Sequence, residues 1–113
     1  MDNEKTGIDQ TKKYIDSLQD IRKKKHYKNA LNSLLTNHAV SKSFNELENK
    51  ISNELLRMDS HNEDLSDISV VVDKLSLVFN SIFPIEYSLD EKFVFYLLVI
   101  YKFIEGDYDE NDI

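Results

Sequence analysis

Apolar residues return every three or four positions along most of this chain, and over one stretch they stop alternating with polar residues altogether. Residues 93–104, Phe-Val-Phe-Tyr-Leu-Leu-Val-Ile-Tyr-Lys-Phe-Ile, contain a single charge, Lys102. The run follows Ser88-Leu89-Asp90-Glu91, in which a serine hydroxyl and a carboxylate three residues later can each satisfy a free backbone donor. It is expected to end at Gly106. The spacing therefore predicts one helix that is apolar on nearly every face and must be covered by the rest of the chain. Phe93, Leu97, Ile100, Tyr101 and Ile104 are its expected buried residues.

Four further segments supply candidate covers, each with one apolar stripe at helical spacing. The first spans about residues 8–25, with Ile8, Thr11, Ile15, Leu18 and Ile21 or its neighbour Arg22. The second spans about 27–39, with Tyr27, Ala30, Leu31, Leu34, Leu35 and His38. The third opens on a second capping box, Ser43-Phe44-Asn45-Glu46, and continues through Leu47, Ile51, Leu55 and Met58. The fourth spans about 66–82, with Ile68, Val71, Val72, Leu75, Val78, Phe79 and Ile82, and Pro84 prevents its continuation. Its β-branched start, Ile68–Val72, could instead be a strand paired with Val94–Ile100, which would make the fold α+β. Helical spacing sustained over four turns favours the helix. The connection 59–64, Asp-Ser-His-Asn-Glu-Asp, is polar and acidic and is expected to be the most mobile loop. The expected fold is all-α, an antiparallel bundle of four to five helices in a single domain, 1–113, with an ordered core over about 8–105 and an acidic tail at 106–113.

Composition narrows this picture in the same direction. With 113 residues, 41% of them hydrophobic, the chain can build one core. Two Gly and one Pro leave few tight turns, which argues against a sheet protein. The chain has no Cys, which removes disulfides and thiolate chemistry and fits a reducing compartment. Its amino end, Met-Asp-Asn-Glu-Lys, is too polar for a secretory signal. A bilayer crossing takes about 20 apolar residues, more than the longest run offers. These readings together give a cytoplasmic expectation.

The net charge of −7 is unevenly spread: residues 1–28 carry eight basic and five acidic side chains, and residues 29–113 carry six and sixteen. An acidic balance argues against general nucleic-acid binding. The basic cluster Arg22, Lys23, Lys24, Lys25 and Lys28 stands out against it. Read as the carboxyl end of the first helix, the cluster gains from the helix dipole, but that accounts for one or two of the five charges. An anionic partner surface is the sharper reading. A helix-turn-helix over 27–58 has suitable spacing, but its recognition helix would carry Glu46, Glu48 and Glu54 against Lys50 and Arg57. The acidic tail is the second candidate, because Glu105, Asp107, Asp109, Glu110 and Asp112 follow a helix end where negative charge is unfavourable. Tyr108 and Ile113 within it could anchor to a partner while the carboxylates steer the encounter.

Chemistry is sparse by comparison. His26, His38 and His61 fall in three segments with no i, i+4 pair, so no metal site is expected. No glycine-rich loop exists for a phosphate and no Gly-x-Ser-x-Gly elbow for a nucleophile, and Asp90 and Glu91 are accounted for by their place in a first helical turn. No catalytic residue, metal or cofactor is assigned, and the chain is not expected to be an enzyme.

The layout from Tyr27-Lys28-Asn29-Ala30-Leu31 through a helix-rich middle to Phe83-Pro84-Ile85-Glu86-Tyr87-Ser88-Leu89-Asp90-Glu91, with a final helix after it, resembles that of small bacteriocin immunity proteins over about residues 14–104. The resemblance implies a cytosolic antiparallel helical bundle from a low-GC Gram-positive bacterium. Such a protein protects its producer from a peptide toxin, at the inner side of a membrane receptor complex. Use of 12 Lys against 2 Arg fits an AT-rich coding genome. It carries over no catalytic residue. The resulting expectation is a small helical protein that acts stoichiometrically on a protein partner, whether toxin, receptor complex or host enzyme, with a homodimer left open. Its rivals are a phage or mobile-element inhibitor whose acidic surface imitates nucleic acid, and a small DNA-binding regulator using residues 22–28.

Overall fold

The computed structural model describes residues 3–36 and 41–112, and the side chains of 7–36 and 45–104. They form five helices: α1 (Asn3–Asp16), α2 (Ile21–Thr36), α3 (Ser41–Ser60), α4 (Ile68–Phe79) and α5 (Leu89–Asp112). No strand occurs among the described residues, and Ile68–Val72 is helical. The fold is all-α, with helices packed on one another around α5.

The capping box of α5 forms as its sequence requires. The Ser88 backbone N–H donates to Glu91 Oε1 at 2.8 Å, and the Glu91 N–H donates to Ser88 Oγ at 3.1 Å. Glu91 also accepts, through Oε2, a 2.9 Å hydrogen bond from the Ser33 hydroxyl of α2. One carboxylate thus starts α5 and ties it to a neighbour. Seven consecutive residues, Val94 to Ile100, are then buried, which is two full turns with no face left to water. Phe93, Tyr101 and Ile104 are partly buried at the edges of this zone.

Each of the other helices lays its own stripe on α5. Helix α1 makes the closest approach and runs antiparallel: Gly7 faces Leu98 and Lys102, while Tyr14 meets Phe93. A Cβ at Gly7 would stand 3.2 Å from the Leu98 carbonyl oxygen and 3.3 Å from Lys102 Cβ. Here glycine serves helix packing, and the Thr11 hydroxyl, buried beside it, donates to the Gly7 carbonyl at 2.7 Å. Helix α2 buries Ala30, Leu31 and Leu34 and stacks Tyr27 on Phe93 at 4.6 Å between ring centroids. Helix α3 buries Leu47, Ile51, Leu55 and Met58, and its Glu48 pairs with Lys102. Helix α4 buries Val71, Val72, Leu75 and Phe79.

Several expected boundaries move, each for an identifiable local reason. The segment 8–25 is two helices, because Asp20 caps a new one: its Oδ1 accepts from the backbone N–H groups of Arg22 at 3.0 Å and Lys23 at 3.2 Å. Ser17 closes α1 with its hydroxyl on the Tyr14 carbonyl at 2.6 Å. Ile21, placed by spacing on an apolar stripe, is 80% exposed in the first turn of α2. Helix α3 begins at Ser41, so Ser43 lies inside it and not at its start. Helix α4 is shorter than 66–82, and Ile82 enters a turn through its N–H on the Phe79 carbonyl at 2.9 Å. Helix α5 runs through Gly106 to Asp112 instead of stopping there, so residues 106–112 continue the helix.

The connection 59–64 is held by three local devices. Asn62 takes a left-handed φ of 63°. With the Glu63 N–H on the Met58 carbonyl at 3.0 Å and the Asn62 N–H on the Asp59 carbonyl at 3.0 Å, it closes α3 in a Schellman motif. Asp64 Oδ1 accepts from both the backbone and the hydroxyl of Ser66. Glu63 accepts from Lys74 Nζ of α4 at 2.6 Å, and that bond holds its carboxyl below the usual range.

Candidate interaction surface

The relocated boundary at Ile21 changes the meaning of the basic cluster. Arg22, Lys23, Lys24 and Lys25 occupy the first turns of α2, where the helix dipole is positive and cations are disfavoured. The dipole thus explains none of them, and Asp20 is the one acidic group capping that end. Arg22, Lys23 and Lys25 are exposed, Lys24 is partly covered, and Lys28 pairs with Asp16 of α1 at 3.1 Å. Beneath that pair lies a cleft of about 230 Å³ lined by Lys12, Ile15, Asp16, Lys28, Leu31 and Asn32. Of the tail candidates, Asp107, Tyr108, Asp109, Glu110 and Asp112, only the backbone is described, as the last turns of α5. His38 lies outside the described residues, and His26 and His61 are exposed.

A third surface was not singled out by spacing. Helix α4 is apolar on two sides. Its inner stripe is buried, while Val70, Leu77 and Val78 point outward and Leu77 is 88% exposed. The link that follows continues the feature with Ile82, then Ile85 at 98% exposure, and Leu89 at 74% opens α5. The link turns back through the Tyr87 N–H on the Pro84 carbonyl at 3.1 Å, and Phe83 and Tyr87 face inward, with ring centroids 5.1 Å apart. Their inward packing forces the intervening Ile85 out. The signal in the sequence was present but mixed: Val70 and Leu77, seven apart, form a second stripe opposite the first.

This apolar surface lies within an acidic part of the chain. Residues 59–92 hold eight acidic and two basic side chains, a net of −6 out of −7 for the whole protein. Both cations are engaged. Lys74 binds Glu63, and Lys92 donates to the Asn80 carbonyl at 3.1 Å with its Nζ 5.8 Å from the Phe83 ring centroid. Asp67, Asp73 and Glu86 remain exposed around the apolar residues.

Among the described residues, no three His, Asp or Glu side chains gather in a way that could hold a metal, and no helix is long and apolar enough to cross a membrane. Comparison with protein-family models, curated proteins and solved structures gives no match.

Proposed function

We propose that this chain is a stoichiometric protein-binding module, and that its outer α4 surface with the link to Leu89 is where a partner protein docks. The observation that carries this is the exposure of Val70, Leu77, Val78, Ile82, Ile85 and Leu89 on a chain that has ample polar residues to place there. These apolar residues fall within 20 residues, from the outer face of α4 to the first residue of α5, and exposed aliphatic side chains gathered in this way mark an interaction site. A role as an immunity or toxin-neutralising protein is the specific form of this reading that the helical layout supports, and inhibition of a host enzyme is its alternative form. Binding without chemistry suits either one.

The test is affinity capture of partners from the cells that make the protein, with the tagged chain and two variants. Leu77→Asp with Ile85→Asp alters the α4 surface, and Arg22→Glu with Lys23→Glu and Lys25→Glu alters the start of α2. A partner held by the parent chain and lost with the first variant supports the reading. A partner lost only with the second moves the site to α2, and a partner retained by both removes these surfaces from consideration.

A second reading rests on the cationic start of α2, which helix electrostatics do not explain: a DNA-binding regulator. It is tested by titrating duplex DNA at low salt, where phosphate attraction is strongest. Absence of binding there eliminates it.

A further inference from the structure

The α4 surface has a shape and a charge, and together they restrict what can cover it. From Val70 to Val78 the exposed residues extend about 12 Å along α4, at about 1.5 Å per residue, and Ile82, Ile85 and Leu89 continue them over the link. The surface is built on a helix, and the described residues contain no strand edge to which an extended segment could add by backbone pairing. A partner helix lying across it would meet Val70 and Leu77 at i and i+7 with Val78 beside them, and the charged Asp73 and Lys74 at i+3 and i+4 between them.

Apolar character alone would also allow a second copy. Charge decides against it. A symmetric pair would set the exposed carboxylates of Asp67, Asp73 and Glu86 against the same three, and Lys74, bound to Glu63, is not free to relieve the repulsion. The carboxylates of Asp67, Asp73 and Glu86 instead complement cations at the edge of an incoming helix.

On the premise that the α4 surface is a docking site, we infer that its partner is a cationic amphipathic helix, with aliphatic residues against Leu77, Val78 and Ile85 and lysine or arginine beside Asp73 and Glu86. The helix enters across α4 with its apolar stripe inward. The acidic rim accelerates the encounter and selects against anionic helices of the same apolar pattern.

The probes are two labelled 18-residue peptides with one leucine pattern, one carrying lysine at every polar position and the other glutamate, titrated with the full chain by fluorescence anisotropy. The lysine peptide is expected to bind at least tenfold more tightly than the glutamate peptide, and to weaken several-fold between 50 and 200 mM salt. Leu77→Asp is the decisive variant, because it adds negative charge and removes the apolar contact. Docking predicts at least tenfold weaker binding of the lysine peptide. Diffuse attraction to an acidic protein predicts equal or tighter binding, which overturns the inference.

Equal binding of both peptides, abolished by Leu77→Asp, overturns the cationic assignment and leaves the docking surface standing. Binding of neither peptide overturns the inference, and a concentration-dependent dimer that Leu77→Asp dissolves would identify a second copy as the occupant. Failure of the docking reading itself has a separate signature, a captured partner indifferent to Leu77→Asp and Ile85→Asp.

Discussion

Two tyrosines in one aromatic cluster should respond to the same substitution with opposite signs. Phe83 lies 5.1 Å from Tyr87, 5.3 Å from Phe95 and 5.6 Å from Tyr96, measured between ring centroids. Tyr96 donates its hydroxyl to Asn80 Oδ1 at 2.7 Å, whereas the Tyr87 hydroxyl is buried with no hydrogen-bond partner among the described residues. An unsatisfied buried hydroxyl costs about 1–3 kcal/mol. Tyr87→Phe removes that cost and keeps the ring against Phe83 and Phe95, at the expense of a void the size of one oxygen. A gain of about 1 kcal/mol is expected, which in a domain of this size raises Tm by about 4 °C. Tyr96→Phe deletes a made bond and strands Asn80 Oδ1, so a loss of about 1 kcal/mol is expected. Urea titration with calorimetry measures both. A loss of 1 kcal/mol or more in Tyr87→Phe would refute the reasoning, since it would mean that the hydroxyl is satisfied, for instance by a bound water.

The same burial fixes a pH dependence. It raises both hydroxyls to about 12, aided at Tyr87 by the nearby carboxylates of Glu91 and Glu86. Below pH 10 each tyrosine is protonated in both the folded and unfolded chain, and its stabilising contribution is fully present. From pH 10 to 12 the unfolded chain releases the proton and the folded chain keeps it, so stability falls by about 1.4 kcal/mol per pH unit for each tyrosine. Tyr87→Phe should remove about half of the slope that this pair produces. An unchanged alkaline slope would show that the ring does not keep its proton in the fold.

Other substitutions examine separate parts of the argument. Gly7→Ala gains up to about 1 kcal/mol of helix propensity, but the new Cβ meets the Leu98 carbonyl oxygen and Lys102 Cβ of the buried helix. A net loss in urea titration is expected, and the full propensity gain would show that α1 is free to shift. Asp20→Ala should cost about 0.5–2 kcal/mol by uncapping α2 and lower helicity in circular dichroism, whereas no change would mean that another group starts the helix. Leu97→Asp should abolish folding by burying an unpaired charge. Leu77→Asp should leave stability within about 0.5 kcal/mol, and similar losses at the two sites would contradict the inside-outside assignment of α4 and α5.

The central helix was legible because its run lacks the polar residues that would let any face meet water. Covering it is the one requirement every fold of this chain must satisfy, and the reciprocal Ser88–Glu91 box marked its start. The break at 17–20 was hidden because Ile8, Ile15, Leu18 and Ile21 keep helical spacing across it. Periodicity registers where apolar residues fall and says nothing of Asp20, whose cap competes locally for the same backbone donors. That single carboxylate moves Arg22–Lys25 from the end of one helix to the start of the next and inverts the sign of their interaction with the dipole. Gly106 was misleading in a related way: glycine suggests a helix end by its freedom, whereas α5 runs through it.

The outer face of α4 illustrates a limit of apolar patterning that bears directly on function. A stripe is read as core because burial rewards it, and Val71, Val72, Leu75 and Phe79 satisfy that rule. Leu77 obeys the same spacing at 88% exposure, and Val70 and Val78 stay about half exposed, so burial gives them far less reason for their hydrophobicity. Polar residues would serve the isolated chain equally well at those positions and would lower its tendency to associate. On the docking proposal, the exposed carboxylates of Asp67, Asp73 and Glu86 offset their cost to solubility and disfavour pairing of the surface with its own kind. An apolar face held apart from itself by charge, yet left open to a helix of opposite charge, has the properties expected of a surface kept for a partner.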